Sequence, residues 1–344
     1  MTGCAVLILN WNGRQWLRQC VDAVLRQDPA PAEVWVVDNG SSDGSGEMAG
    51  AWPNVRWLQL NSNVGFGAAY NRAIGQCRRD VVVLLNNDTL VQPGWLAELT
   101  CELDRHPEAA AAGSKLLFLD RPDVLNHGGG QITSLGAAYD VDWGARDPAG
   151  ERPSRACSMA SGAALALRRE AFLDVAGFDE SYFAYFEDAD LCWRLWLKGY
   201  TVRYVPAARV LHAYGGSTGE GRHSAFRIRH CQTNRLQNMA KNLELGTLSR
   251  LWPASLAYDA ARLGTLRRGG QAAAVRAYVQ GTLCFWQLLP HVLEQRRRAQ
   301  ATRRRSDAEL FRLGVLAGLG QAAAEWRRLG SLRSQWGRFA PSEE

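Results

Sequence analysis

Four short apolar runs near the N-terminus, each ending abruptly in a cluster of Asn, Asp, Gly or Ser, constrain this chain more than any other feature. The runs are Ala5–Leu9, Val34–Val37, Val55–Leu60 and Val81–Leu85, with amphipathic segments at about Gln15–Arg26 and Gly67–Cys77 between them. Apolar strands that alternate with helices are what a parallel sheet covered on both faces requires. In an open α/β sheet of this kind the carboxyl ends of the strands share one rim, and ligands bind there. The clusters destined for that rim are Asn10-Trp11-Asn12, the loop from Asp38 to Gly44, Asn61-Ser62-Asn63 and Asn86-Asn87-Asp88.

Beyond Pro93 the pattern predicts a helix over about Trp95–His106, a strand over Ala110–Phe118 and an irregular Gly-rich stretch from His127 to Arg155. Strand and helix return at Ser158–Leu167 and Arg169–Ala176. An acidic and aromatic segment follows from Gly177 to Arg194, and then strands near Thr201–Val205 and Arg209–His212. From about Cys231 the residues are Leu, Ala, Arg and Gln at helical spacing with few strand formers. The 344 residues have room for one large α/β domain and a helical appendage, with the division expected at 1–230 and 231–344.

Charge supports that division. The net charge of +6 is the sum of 22 Lys+Arg against 26 Asp+Glu in residues 1–230 and 18 against 8 in residues 231–344, so the two parts face different partners. An apolar content of 47% with 13 Trp excludes a disordered chain. The eight cysteines form no CxxC or CxxH pair, so neither a zinc nor a thioredoxin-type site is supported, and reduced thiols in a cytosolic protein are the better reading. Ala5–Leu9 lacks a preceding basic region and is too short for a signal peptide. Val279–Leu293 is interrupted by Gln280, Gly281, Gln287, Pro290 and His291, so no bilayer span is expected.

Several residues on the expected rim carry chemistry. Asp38 can accept a hydrogen from the imide of a pyrimidine base beside Asn10 and Asn12, and an Asp in this position also caps turns. Asp88, next to Asn86 and Asn87, is placed to bind a hard divalent cation that bridges diphosphate oxygens, or to cap a helix. Glu187, Asp188 and Asp190 open a helix after Tyr182, Phe183, Tyr185 and Phe186, where carboxylates also suit the macrodipole. Asp190 is spaced to pair with Arg194. Glu187 and Asp188 have no such partner, and a carboxylate against aromatic walls gains the raised pKa of a general base. His212 ends a strand on the same rim, as a hydrogen-bonding residue or a ligand. The segment from Gly65 to Asn71 has Tyr70 where a dinucleotide fingerprint has its third Gly, and it follows the third strand, not the first. That counts against a hydride-transferring enzyme.

Taken in order, Asn-Trp-Asn, Val-Asp-Asn-Gly-Ser-Ser-Asp-Gly, Asn-x-Gly-Phe-Gly-x-x-x-Asn, Leu-Asn-Asn-Asp, Gly-Phe-Asp-Glu, Tyr-Phe-Glu-Asp-Ala-Asp-Leu-x-x-Arg and His are similar to a known pattern. Over about residues 3–240 the chain resembles the glycosyltransferase family 2 enzymes of the GT-A fold, and most closely their bacterial rhamnosyltransferase-like branch. The resemblance implies a Rossmann-like, mostly parallel sheet flanked by helices. It implies that Asp38 reads the base, that Asn10 and Asn12 line the nucleoside pocket, and that Asn63, Gly65, Asn71 and Asn87 contact the nucleotide-sugar. Asp88 and His212 would ligate Mg²⁺ or Mn²⁺, with Asn86 in place of the first carboxylate of the DXD motif. Asp188 would be the general base, and Ser161, Gly162 and Glu187 would lie near the sugar and acceptor.

The implied reaction is inverting transfer of a sugar, rhamnose from dTDP-rhamnose or a sugar from another UDP- or dTDP-donor, to a hydroxyl of a lipid-linked or oligosaccharide acceptor in cell-surface glycan synthesis. A non-catalytic nucleotide-sugar-binding protein of the same fold is the alternative. The arginine clusters Arg267-Arg268, Arg296–Arg298 and Arg303–Arg305, with Leu283–Leu289, Trp252, Trp326 and Trp336, suggest a cytoplasmic protein docked peripherally on the anionic inner face of the cell membrane. A homo-oligomeric packing element is the other reading. No recognised nucleic-acid-binding module accompanies the arginines, so no nucleic-acid partner is expected.

Overall fold

The computed structural model describes residues 3–148, 152–213 and 224–324; Gly215–Thr218, Trp326 and Trp336 lie outside the described residues. The N-terminal part runs β1 (Ala5–Asn10), α1 (Arg14–Leu25), β2 (Glu33–Asp38), β3 (Val55–Gln59), α2 (Phe66–Gln76), β4 (Val81–Asn86), β5 (Thr89–Val91) and α3 (Trp95–Arg105). Next come β6 (Ala109–Phe118), β7 (Arg121–His127), β8 (Gly130–Thr133), β9 (Ala138–Asp140), β10 (Arg155–Ala156), β11 (Ala164–Arg168), α4 (Arg169–Asp174), α5 (Glu187–Lys198) and β12 (Thr201–His212). The chain continues with α6 (Ala225–Asn242), α7 (Leu245–Arg268), α8 (Ala272–Gln287), α9 (Leu289–Ala301), α10 (Asp307–Arg312) and β13 (Leu316–Ala317).

The large sheet has the order β10-β12-β6-β11-β4-β1-β2-β3, with β5 and β7 paired to β12 and β6. Strands β3, β2, β1 and β4 are mutually parallel. Their alternate side chains feed two cores: Leu7 and Leu84 face one, while Val6, Ile8, Val83 and Leu85 face the other. This two-sided burial is why the runs read as continuously apolar. Register sets the rim: Asn10 lies beside Asp38, and Leu9 beside Asn86.

Strand β11 runs antiparallel between β4 and β6, so its beginning, not its end, lies at the functional rim. Ala164 pairs with Leu85, and the carbonyl of Ala163 accepts from the N–H of Asn86 at 2.9 Å. The turn at Ser161-Gly162 is thereby brought to the end of β4. The two strands expected at 201–205 and 209–212 are one strand, β12, with an irregularity between Val205 and Arg209.

The stretch expected to be irregular from His127 to Arg155 is ordered differently. It contains β8 and β9, which form a three-stranded sheet with β13 from the far C-terminal part. Sequence periodicity missed this sheet because its strands span only two to four residues each and one of them comes from residues 316–317.

The change of composition expected at residue 230 falls inside α6. This helix buries a row of polar side chains, among them Asn234, Arg235, Asn238, Lys241 and Asn242, whereas α7 buries only Ser255 and Leu266. Some of the arginines turn inward, although Arg267, Arg268, Arg297, Arg298 and Arg304 are exposed. Arg296 donates to the carbonyls of Ala240 and Leu243, Arg303 pairs with Asp307, and Arg305 donates to the carbonyls of Gly199 and Tyr200. Among the described residues, no helix is long and apolar enough to cross a membrane.

Candidate active site

A cavity of about 730 Å³ opens along the rim of the sheet. Its walls include Asn63, Gly65, Asn87, Ser161, Gly162, Glu187, Asp188 and His212 of the residues singled out from sequence. Asn10, Asn12, Asp38, Asn71 and Asp88 are not on its walls, and each of them holds a neighbouring part of the structure.

On the β2–β1–β4 side, three rim residues form one hydrogen-bonded line. Asn87 Nδ2 donates to Asn10 Oδ1 at 2.6 Å, and Asn10 Nδ2 donates to Asp38 Oδ2 at 2.8 Å. Asp38 Oδ1 accepts from the N–H of Ser41 at 2.8 Å and from Gln59 at 2.9 Å, so this fully buried carboxylate fixes the loop that follows β2. Asn12 accepts from the N–H of Ser42 at 2.8 Å and draws the same loop onto the end of β1. Asn39, which the sequence reading passed over, lies on the cavity wall and donates to Asn63, whose Oδ1 accepts from the N–H of Gly65.

Gly65 has φ of +89°, and a Cβ there would lie 2.7 Å from the carbonyl oxygen of Phe183, so only Gly fits this contact between α2 and the aromatic segment. Asn71 closes the same contact from within α2. It donates to the carbonyl of Phe178 and accepts from its N–H, both at 2.9 Å.

Asp88 and His212 are 124 residues apart in sequence and meet because β5 pairs with the end of β12, Thr89 beside His212. The gap from His212 Nε2 to Asp88 Oδ1 is 3.4 Å, and the carbonyl of Asp88 accepts from the N–H of Ala213. Nδ1 of His212 lies 2.8 Å from Oδ1 of Asn126. With Nδ1–H donating to that amide oxygen, Nε2 presents its lone pair towards the carboxylate. A hard carboxylate oxygen and an imidazole nitrogen that converge in this way suit a divalent cation. Among the described residues no group of three or more His, Cys, Asp or Glu converges in the manner of a closed metal site.

Glu187 and Asp188 begin α5 at the cavity wall. Asp188 is half-buried. Its Oδ2 accepts from the N–H of Gly162 at 3.1 Å and its Oδ1 from the N–H of Ala189 at 2.8 Å. A side chain on Gly162 would press to 2.7 Å on the Phe66 ring, so the turn must be Gly for its N–H to reach Asp188. Burial raises the carboxyl of Asp188 against the lowering effect of those two N–H groups. Burial, and then the adjacent Asp188 charge, push Glu187 up to about 8. At neutral pH Glu187 is therefore protonated and Asp188 carries the charge of the pair.

The segment leading into α5 is strained: Phe183, Tyr185 and Phe186 all have positive φ, at 55°, 69° and 68°. Each such residue costs about 1–3 kcal/mol and persists only where its surroundings hold it. Here α6 supplies the hold. Asn234 Nδ2 donates to the carbonyls of Tyr182, Ala184 and Tyr185 at 3.0, 2.9 and 2.7 Å, and Asn238 accepts from the Tyr182 hydroxyl at 2.7 Å.

Lys241, 1% exposed, reaches Asp179 at 2.7 Å and Asp190 at 2.9 Å, and Asp190 also pairs with Arg194 at 2.8 Å as its spacing predicts. Burial alone would raise Asp179. The Lys241 charge, with hydrogen bonds from Lys241, His291 and Ser181, outweighs it and holds this carboxyl far below the usual range. None of these α6 residues stood out in sequence, because polar residues on a helix look solvated until their partners are known.

Residues 5–140 match the family described as Glycosyl transferase family 2, and residues 81–268 match Glycosyl transferase family group 2. An N-acetylglucosaminyl-diphospho-decaprenol L-rhamnosyltransferase of Mycobacterium tuberculosis is 35% identical over 227 residues, covering 59% of this chain and 73% of that protein. Among solved structures, GalNAc-T7 with UDP, GalNAc and Mn²⁺ superposes with a TM-score of 0.57 at 17% identity, over 70% of this chain and 48% of that one. The mannosyltransferase PcManGT from Pyrobaculum calidifontis, in complex with GDP-Man and Mn²⁺, superposes with a TM-score of 0.51 at 17% identity, over 87% and 86%. These likenesses show the shared fold.

Proposed function

This chain belongs to glycosyltransferase family 2 and is a glycosyltransferase of GT-A fold, and on that premise we propose that it moves a sugar from a nucleoside-diphosphate donor to a hydroxyl of a lipid-linked or oligosaccharide acceptor, with inversion. The observation that carries this reading is Asp188, fixed at the cavity wall by the N–H groups of Gly162 and Ala189 beside a protonated Glu187. Asp188 takes the proton of the acceptor hydroxyl as the oxygen bonds to the anomeric carbon. The bond to the diphosphate oxygen breaks on the opposite face, and the electron pair leaves with the nucleoside diphosphate. Glu187, being neutral, leaves Asp188 free to ionise and offers a proton donor to a sugar oxygen.

The nucleotide is assigned to the β2–β1–β4 side. There the Asn87–Asn10–Asp38 line holds the rim rigid and Asn39, Asn63 and Gly65 form the wall. Asp88 and His212, the latter oriented by Asn126, are the residues that would hold Mg²⁺ or Mn²⁺, which when bound supplies positive charge to the departing diphosphate. The L-rhamnosyltransferase relative favours rhamnose as the sugar and an N-acetylglucosaminyl diphospholipid as acceptor, and the resemblance of the sequence motifs favours dTDP as the carrier.

Such an acceptor resides in a membrane, and the α7–α8 pair suits an anionic lipid surface. Leu256, Leu283 and Trp286 are exposed on this pair, as are Arg267, Arg268 and Arg276. The only carboxylate of residues 245–293, Asp259, is turned inward onto Arg235 at 2.5 Å.

The test is nucleotide release from dTDP-rhamnose, UDP-GlcNAc and GDP-mannose with a short-chain N-acetylglucosaminyl diphospholipid as acceptor, before and after exhaustive chelation. Acceptor-dependent release of dTDP, lost on chelation and restored by Mn²⁺ or Mg²⁺, is the expected result. Undiminished turnover in the chelated enzyme would remove the cation, and release of a different nucleotide would replace the donor.

A further inference from the structure

The cavity wall carries another carboxylate, Asp140, for which neither base chemistry nor nucleotide binding provides a task. We propose that Asp140, held in place by His127, binds a hydroxyl of the acceptor sugar and so determines which acceptor Asp188 can deprotonate. This assignment rests on the glycosyl-transfer reading of the cavity.

The turn at Ser161-Gly162 links the two carboxylates. Its two successive N–H groups go to two different partners: Ser161 donates to Nε2 of His127 at 3.3 Å, and Gly162 donates to Asp188. Because Nε2 accepts, the proton of His127 is on Nδ1, which lies 2.8 Å from Asp140 Oδ1 and donates to it. His127 is 1% exposed and is spent entirely on orientation, whereas the Asp140 side chain keeps 38% exposure on the cavity wall. One turn thus spaces Asp140 and Asp188 along the same wall. The charge of Asp140 is among the influences that raise Asp188.

Sheet order indicates which substrate Asp140 meets. The nucleotide side is built on β2, β1 and β4, and β11, with the Ser161-Gly162 turn, lies on the other flank of β4. Asp140 stands beyond that turn, at the end of β9, away from the base-binding side. The same cavity is lined by Tyr139, Tyr185 and Phe226, the last two with ring centroids 6.3 Å apart. An aromatic face with a fixed carboxylate matches a pyranose, which offers an apolar C–H face and a fringe of hydroxyl donors.

The support for Asp140 is itself built in. Strand β13 adds to β8, with Leu316 beside Ile132, and Gln131 donates to the carbonyl of Val315 at 3.0 Å. Ser158 ties the same carbonyl to the N–H of Ile132 at 2.8 Å. The hairpin that carries Asp140 is therefore braced by residues almost two hundred positions away.

The experiment measures acceptor kinetics at saturating donor for the full chain, for Asp140→Asn, which keeps an oxygen for His127, and for Asp140→Ala. The probe is a short-chain N-acetylglucosaminyl diphospholipid together with its single-deoxy analogues. Asp140→Ala should raise acceptor KM about 10–100-fold, the span of a charge-assisted hydrogen bond, with Asp140→Asn between it and wild type and donor Kd within about twofold. For one deoxy analogue the wild type should lose the same factor, and Asp140→Ala should add no further loss.

An unchanged acceptor KM, a donor Kd that weakens in parallel, or additive losses with every analogue would overturn the assignment. If the wild type does not use this acceptor, the N-acetylglucosaminyl diphospholipid is not its acceptor. Saturation-transfer NMR with methyl β-N-acetylglucosaminide then decides Asp140 separately. Contact with wild type that is lost in Asp140→Ala supports it; contact retained in the variant, or none with wild type, overturns it.

Discussion

Helices α6 and α7 are neighbours drawn from the same arginine- and alanine-rich part of the chain, yet they have opposite surroundings. The 18-residue α6 buries Asn234, Asn238, Lys241 and Asn242 against the segment that presents Asp188, while the 24-residue α7 buries only Ser255 and Leu266. Composition treats the two alike. What separates them is whether a polar side chain meets partners that complete its hydrogen bonds, since a buried polar group without them is costly and one fully satisfied specifies a single arrangement. Helix α6 is thus bound into the packing behind Asp188, whereas α7 meets the main core only through half-buried residues such as Leu248, Leu251 and Trp252.

The sharpest reference for that contrast is the base itself. Asp188→Asn should lower kcat by about 10²–10⁴ while leaving donor affinity within a few-fold. Near wild-type turnover in single-turnover assays would take Asp188, and with it the purpose of the α6 brace, out of the mechanism.

The brace is next. Lys241→Met leaves Asp179 and Asp190 as buried carboxylates without their shared ammonium, a change that typically costs about 3–5 kcal/mol. Denaturant unfolding should show a loss of that order, and a loss under about 1 kcal/mol would mean that α6 is no more integral than α7.

A smaller effect, with a defined sign, belongs to Glu187. Its carboxyl is raised from 4.5 to about 8 in the folded protein, so between those values the folded state holds a proton that the unfolded state has released. Stability contributed by this group is fully present below about 4.5 and is lost as pH rises towards about 8. Glu187→Gln mimics the protonated form, and its melting temperature relative to wild type should climb across that window and level off above it. A difference that does not vary with pH, measured by calorimetry, would mean that Glu187 is ionised throughout.

The least perturbing change tests the other side of the comparison. Leu256→Ser and Leu283→Ser lie on the exposed face of α7 and α8, and each should shift stability by no more than about 0.5 kcal/mol. The pair should nevertheless reduce co-sedimentation with anionic vesicles at low salt. Equal recovery of wild type and variant with the vesicles would free this face from lipid contact.

Much of the fold was legible because apolar periodicity is local. The runs at 5–9, 34–37 and 81–85 became β1, β2 and β4 within a residue or two, and the helix that opens at Glu187 was visible from its acidic first turn. The pairing of Asp190 with Arg194 followed from helix geometry alone. The β8–β9–β13 sheet was not legible, since a strand of two or three residues carries no readable alternation and its partner lies far along the chain. Nor could the sequence divide the arginine clusters: Arg296, Arg303 and Arg305 turn to backbone carbonyls and a carboxylate contributed by other parts of the chain, while Arg267, Arg268, Arg297, Arg298 and Arg304 stay exposed.

The sequence by itself determined the α/β class, the rim and the types of residue gathered there, because burying apolar surface at a period of two or of 3.6 is an additive preference that each segment expresses alone. Only the tertiary structure decided what each polar residue does. It turned Asp38 into the fixed end of a line from Asn87 and Asn10, brought His212 to Asp88 across the β5–β12 pairing, and set His127 behind Asp140. A hydrogen bond or ion pair depends on direction and on a second group, and that group comes from a segment whose position is known only once the chain has packed.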